Sequence, residues 1–251
     1  GCFENSPDLL LAYLNGIPVR DFQHILAEIR GRENLDTLDL WTFLLTAIPQ
    51  RRAFRFFIRL KSIFEPIFAA FFLVLLAPLC VLVAFIIRIE SPGPVLYRQR
   101  RVGYKGKEFE LIKFRSMVVN AEKDGPAWAG QQSSKMTRLG AFLRKSHLDE
   151  IPQLWNVLRK EMSFVGPRPE RPEYYAILKP EIPLFWIRTL VRPGITGWAQ
   201  VRAGYASSAE ESKTKLEFDL YYMRRMTPVF DLKILIRTLM IVLFSGDKKA
   251  L

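Results

Sequence analysis

The sequence predicts an α+β fold, mostly helical and monotopic, with a proline-broken re-entrant membrane helix and a small β-hairpin. Three observations predict it. Residues 63–89 form an apolar run, IFEPIFAAFFLVLLAPLCVLVAFIIRI, with Pro78 near its middle. Cations flank that run on both sides. Val95–Gln99 and Phe109–Phe114 have strand composition and are separated by a Gly-containing turn at Tyr104–Lys107.

The apolar run carries no charge from Ile67 to Ile87, about the length a bilayer requires. Pro78 removes a backbone hydrogen bond, so a helix there either crosses with a kink or bends and returns. Arg51, Arg52, Arg55, Arg59 and Lys61 precede the run, and Arg88, Arg98, Arg100, Arg101, Lys105 and Lys107 follow it. Lys and Arg stay on the cytoplasmic side, so cations at both ends favour the re-entrant path. A buried core helix is disfavoured by the length of the run.

The remaining elements follow in order. Ser6-Pro7-Asp8 reads as a helix start, Gly16 and Gly31 as stops, and Asp36–Ile48 as a third helix, all in a packing or linker segment. Ser91-Pro92-Gly93-Pro94 breaks the chain before the hairpin, whose far end carries Lys113 and Arg115. Residues 117–135 read as a long polar loop and 135–145 as a helix. Pro152 suits the first position of a helix over 152–160. Val191–Tyr205 is turn-rich, and an apolar helix runs from Pro228 to Phe244. That last helix suits a membrane interface or a buried core equally, and as an exposed face it could support a homodimer.

The chain has 251 residues, with 37 Lys and Arg against 25 Asp and Glu, a net charge of +12. This excess suits acidic lipid, phosphorylated substrates or nucleic acid. Nucleic acid is set aside, since no recognition motif accompanies the charge and the apolar run opposes it. Cys2 and Cys80 make no disulfide framework, and His24 and His147 alone make no His-based metal site.

The candidate chemistry lies in SHLDEIPQLWNVLRKEMSFVGPRPERPEYY, from Ser146 to Tyr175. Neighbouring residues on a helix point about 100° apart, so Asp149 and Glu150 cannot straddle one bond as glycosidase acids do. They can divide two tasks on one side of a substrate, one attacking and one holding a metal. With a helix starting at Pro152, both acids sit beside backbone N–H groups that favour anions, and Arg144 lies little more than a turn away. Amides, an arginine and paired acids suit phosphate chemistry assisted by Mg2+. An isolated Asp-Glu pair is, on the other hand, ordinary as a helix cap with a solvated neighbour.

The motifs in order resemble the bacterial sugar transferases, the polyprenyl-phosphate glycosyl-1-phosphate transferases. They are the proline-broken run, SPGPVLYRQRRVG with Gln99, Arg101 and Gly103, KFRSM, FLRKSHLDEIPQLWNVLRKEMSFVGPRPE, RPGITGWAQV, and DLYY followed by DLKIL. AEKDGPAWAG and GPRPERPEYY look most like members from exopolysaccharide pathways. The resemblance covers roughly residues 60–245. It implies transfer of a sugar 1-phosphate from a nucleotide diphosphate sugar, usually a UDP-sugar, to undecaprenyl phosphate, with release of UMP. It also implies Asp149 as the nucleophile of a phosphosugar-aspartyl intermediate, Glu150 as the Mg2+ ligand and Arg144 as a phosphate contact. A place on the cytoplasmic face of the bacterial inner membrane, among membrane lipids, follows from the same resemblance.

On this reading the chain divides into a helical N-terminal segment or linker (1–60), the re-entrant helix (61–91) and a catalytic domain (92–251). YLNGIPV resembles the linker that precedes the catalytic domain in larger members, which suggests an upstream part. Arg168, presented by the Gly166-Pro167-Arg168-Pro169 turn, is a further substrate contact expected from its fork geometry, the alternative being a loop whose prolines only fix its path. Lys113 and Arg115 divide evenly between substrate and lipid headgroup. Arg192, Gly194 and Trp198 are candidates for the nucleotide pocket, and Trp198 suits a core equally. The competing functions are a basic membrane-binding protein without catalysis and a metal-dependent phosphatase with water as acceptor.

Overall fold

The apolar run folds as two helices, with the break at Leu76. A computed structural model describes residues 22–38, 40, 43, 52–119, 135–203 and 208–244. In it, α2 (Arg52–Leu75) and α3 (Ala77–Glu90) are bent by 60° at a short break. Pro78 lies in the first turn of α3, where its missing N–H costs no helical bond. No single helix among the described residues is long and apolar enough to cross a membrane, and this bent pair passes that test only as a pair.

Earlier in the chain, α1 (Phe22–Arg30) ends at Gly31, whose φ of +68° is the left-handed stop anticipated there. The expected helix from Asp36 begins instead as a 3-10 turn, Leu35–Thr37, capped by the Asn34 side chain. The Ser6-Pro7-Asp8 start and the Gly16 stop lie outside the described residues, as do positions 39 and 120–134.

Beyond α3, β1 (Leu96–Val102) pairs antiparallel with β2 (Glu108–Phe114), from Leu96 opposite Phe114 to Val102 opposite Glu108. The turn between them is a short 3-10 segment, Tyr104–Gly106. Next comes α4 (Arg138–Lys145), a 3-10 helix over Leu148–Gln153, and α5 (Leu154–Leu158). β3 (Ser163–Val165) precedes α6 (Pro172–Glu181) and a second 3-10 segment, Phe185–Leu190. The chain closes with β4 (Gly194–Thr196), α7 (Trp198–Ala203), α8 (Ala209–Arg224) and α9 (Pro228–Phe244).

The stretch read as turn-rich contains β4, which pairs in parallel with β3. Hydrogen-bond partners far apart in the chain make this strand, so local composition does not announce it. Its glycines serve close approach. A Cβ on Gly194 would come within 2.1 Å of the Gly166 nitrogen, so the two backbones meet with no room for a side chain.

Three apolar clusters set the site. Leu178, Phe185, Ile187, Leu216, Leu220 and Ile234 belong to the largest, which joins α6, α8 and α9. Ala69 of α2 shares a second with Leu111, Leu154 and Val157. Val83 and Ile87 of α3 share a third with Phe114 and Leu143, against which Leu148 and Ile151 pack. The acidic segment therefore rests on the bent helix pair. Its other faces stay bare: Phe68, Phe71, Val74, Leu75, Val81, Leu82 and Phe85 are all exposed. In α9 only Asp231 and Ile234 are buried, while Leu232, Leu235, Leu239, Leu243 and Phe244 are exposed. A buried core role for that helix as a whole is thereby set aside.

α4 is pressed onto the end of the hairpin at Gly140. A Cβ there would stand 2.0 Å from the Ser116 carbonyl oxygen. Gly140→Ala is expected to push α4 away and cost about 1–3 kcal/mol, read as a lowered thermal midpoint in detergent. A variant as stable as the parent would show that this contact yields freely.

Candidate active site

Asp149 and Glu150 lie in the first turn of the 3-10 helix, before Pro152 rather than beside a helix that starts there. This corrects the helix expected over 152–160. Ile151, though it precedes a proline, keeps 3-10 geometry, and the α-helix begins at Leu154. The bias of a pre-proline residue is overridden here by packing on β2 and α3. His147 enters the helix with φ of +56°, a left-handed geometry, so its place is a backbone turn. In a 3-10 helix neighbouring side chains diverge by about 120°, which lets the two acids meet different groups.

Glu150 is the charge-locked member. Its Oε1 accepts from Lys113 Nζ at 2.9 Å and from Arg168 at 2.8 Å. Burial favours its neutral form, but Arg168 and Lys113 outweigh that and hold the carboxyl well below its usual range. Lys113 comes from the end of β2, and Arg168 from the turn after β3. The hairpin end and the Gly-Pro-Arg-Pro turn, separate in sequence, thus converge on one oxygen.

Asp149 is only 6% exposed, and its carboxylate takes no hydrogen bond among the described residues. Burial raises its pKa, and the neighbouring Glu150 adds to this, while Lys113, Arg144 and His147 oppose it. A partly buried carboxylate that no donor occupies, under the field of several cations, is suited to attack. Arg144 is aimed by Ser116, whose Oγ accepts from its Nε at 2.9 Å.

The other expected contacts are placed differently. Arg115 is buried at 7% exposure, and its guanidinium donates to the carbonyls of Ser91 and Pro92. It ties the hairpin to the turn after α3 and does not join Glu150. Arg192 sets its carbonyl against Gly166 and makes no hydrogen bond to the acidic pair. Trp198 is buried in the main cluster, and its indole donates to the Gly31 carbonyl at 2.7 Å, which fastens the N-terminal segment.

Residues not expected beforehand at the site support this arrangement. Asn156 bridges α5 to β2, accepting from Ile112 N at 3.1 Å and donating to the Glu110 carbonyl at 2.7 Å. Arg188 is buried and pairs with Asp219 at 2.8 Å and Glu170 at 3.1 Å. Lys61 of α2 pairs with Asp231 of α9 at 2.6 Å. In sequence Arg188 is the single charge in FWIRTL, and Asp231 is the single acid in PVFDLKIL. A charge set inside an apolar pattern is the signal that could have found these two.

For a metal, no cluster of three or more His, Cys, Asp or Glu side chains exists among the described residues. The neighbouring carboxylates still fit Mg2+, which commonly takes one or two carboxylates and completes its sphere with water and substrate phosphate. Only Oε1 of Glu150 receives Lys113 and Arg168, so its second oxygen is the one open to a cation.

An acid pair under converging cations, on a hairpin-braced segment beside a bent apolar helix pair, is an arrangement suited to phosphate chemistry. The chain belongs to the bacterial sugar transferase family, whose pattern matches residues 56–245. It is 37% identical over 230 residues to the UDP-N-acetylgalactosamine-undecaprenyl-phosphate N-acetylgalactosaminephosphotransferase of Aeromonas hydrophila, covering 90% of this chain and 52% of that protein. It is 40% identical over 199 residues to the UDP-glucose:undecaprenyl-phosphate glucose-1-phosphate transferase of Xanthomonas campestris pv. campestris, covering 78% of this chain and 40% of that protein. An exopolysaccharide production protein of Rhizobium leguminosarum bv. phaseoli is 36% identical, covering 74% of this chain and 96% of its own length. The chain therefore spans about half, or less, of the first two relatives.

Proposed function

We propose that this protein transfers a sugar 1-phosphate from a UDP-sugar to undecaprenyl phosphate, as the first membrane step of exopolysaccharide synthesis. The observation that carries the reading is the pair itself: Asp149 takes no hydrogen bond among the described residues, and Glu150 beside it is locked by Lys113 and Arg168. The names of the relatives support the substrates.

In this reading an Asp149 oxygen attacks the phosphorus that carries the sugar. The bond from that phosphorus to the bridging oxygen breaks, and UMP leaves with the electron pair. A phosphate oxygen of the lipid then attacks the same phosphorus, and the Asp149 carboxylate departs unchanged. Two displacements at one site suit a water-soluble donor and a membrane-bound acceptor that need not bind together. Arg144 and Arg168 offset negative charge on the diphosphate, and Glu150 would hold Mg2+, which supplies further neutralisation there.

The bent pair α2–α3 is proposed to lie in one leaflet of the cytoplasmic membrane as a re-entrant hairpin, with the catalytic domain on the cytoplasmic face. Its exposed apolar faces and the basic flanks support this. The acidic segment rests on that pair, and in this reading that would set it near the depth of a lipid phosphate.

The test uses the full chain in nanodiscs with Mg2+, undecaprenyl phosphate and a panel of UDP-sugars. UMP release and a lipid-linked sugar phosphate with one donor are the expected result. Free sugar phosphate formed without lipid would point to the phosphatase. No turnover with any donor would point to a membrane-binding protein without catalysis.

A further inference from the structure

The Pro167-Arg168-Pro169 turn is held by its carbonyls. Two prolines in three residues leave few N–H groups for the turn to donate. Each carbonyl from Pro167 to Glu170 instead accepts a hydrogen bond. Gly194 N donates to Pro167 at 2.9 Å, and Val102 N donates to Glu170 at 2.9 Å. Between them the donors are guanidiniums: Arg188 donates to the Arg168 carbonyl at 2.9 Å, and Arg101 to the Pro169 carbonyl at 3.0 Å.

Neither guanidinium is free to meet a substrate by swinging out. Arg188 is 7% exposed, and its guanidinium also donates to the carboxylates of Asp219 and Glu170. Asp219 is 1% exposed and sits on α8, far along the chain. Arg101 also binds the Gln99 side chain on its own strand. Each residue thus ties a distant element, the 185–190 segment with α8 or the β-hairpin, to one side of the turn. The Arg168 side chain leaves the same turn and reaches Glu150.

We propose that Arg188, clamped by Asp219 and Glu170, and Arg101 are positioning residues that set the Arg168 guanidinium over the acidic pair. This rests on the proposed transferase reaction for its kinetic consequence, and on geometry alone for its structural one. A lysine at either position keeps the charge but loses the planar fork, which at Arg188 reaches the Arg168 carbonyl and two carboxylates and at Arg101 reaches the Pro169 carbonyl and the Gln99 amide oxygen. The backbone of the turn then loosens, and Arg168 loses its registration.

Arg188→Lys and Arg101→Lys would each be measured in two backgrounds, with Arg168 present and with Arg168→Gln. With Arg168 present, Arg188→Lys is expected to lower kcat/KM for UMP release by up to about 100-fold, the scale of a displacement near 1 Å. In the Arg168→Gln background the same change is expected to cost little, because the residue it acts through is gone. An equal loss in both backgrounds would overturn the proposal, as would no loss in the first. Should Arg188→Lys fail to fold, Arg101→Lys gives the same comparison from the edge of the cluster.

Hydrogen exchange reads the structural half without turnover. The hydrogen-bonded amides of Gly166, Gly194 and Val102, which tie the turn to its neighbours, are expected to exchange faster in either lysine variant, while those of α8 stay protected. Unchanged exchange at these amides would overturn the positioning role. If the parent releases no UMP from any donor, the transferase reading fails, and the exchange result still decides whether the arginines hold the turn.

Discussion

Asp149→Asn is expected to lower UMP release by about a thousandfold or more, the range seen when a covalent nucleophile is removed. The amide keeps the size and shape of the carboxylate, so the 3-10 helix and its packing on α3 should persist. The change removes the negative oxygen that attacks. It also removes a charge that Lys113 and Arg144 act upon and that burial disfavours, so stability should not fall. The measurement pairs UMP release with the thermal midpoint. A dead enzyme with the parent's midpoint supports a chemical role for Asp149. Retained activity would remove it from the mechanism, leaving Glu150 as the sole acid. Loss of both activity and midpoint would mean that Asp149 supports the fold.

Lys61→Met is expected to cost about 3–5 kcal/mol, the range for removing one partner of a buried ion pair. Lys61 Nζ meets Asp231 at 2.6 Å and the Val165 carbonyl at 3.0 Å, and it lies 3.6 Å from Glu65. Tyr222 donates to Asp231 at 2.8 Å, and Ser163 to Glu65 at 2.7 Å. Without the ammonium, two acids with under a tenth of their surface exposed lose the cation between them. For a chain of this size the loss corresponds to a fall of roughly 10 °C in the thermal midpoint. Adding Asp231→Asn to Lys61→Met should recover part of that fall, since it removes one stranded charge. A single variant as stable as the parent would show that the network is solvated and contributes nothing. Val165 immediately precedes the Gly166 turn, so the variant should also slow turnover at temperatures where it remains folded.

Much of the architecture was legible beforehand because its causes are local. The apolar length and Pro78 mark a broken helix pair, and the break falls at Leu76, two residues before the proline. Strand composition around a Gly-containing turn marks the hairpin, which extends by a few residues to Leu96–Val102 and Glu108–Phe114. The strand pair β3–β4 was not legible, since each strand has three residues and its pattern exists only once the partner is beside it. The partners of Arg115 were not legible for a related reason. KFRSM sets two cations one residue apart, Lys113 and Arg115, and nothing in it says that one reaches Glu150 while the other turns to Ser91 and Pro92.

By itself, then, the sequence determined the bent apolar pair and the family, and marked the segment proposed for the chemistry, because spacing, proline and charge order are properties of the chain. Only the tertiary structure decided which cation meets which acid. Lys61 and Asp231 are 170 residues apart, Arg188 and Asp219 31, and Lys113 and Glu150 37. Such pairs form when packing removes water from both partners, and burial makes the choice of partner energetically decisive. Along the chain all of these side chains are simply charged residues. In the folded protein one set locks Glu150, another holds the turn that carries Arg168, and Asp149 is left without a hydrogen-bond donor among the described residues.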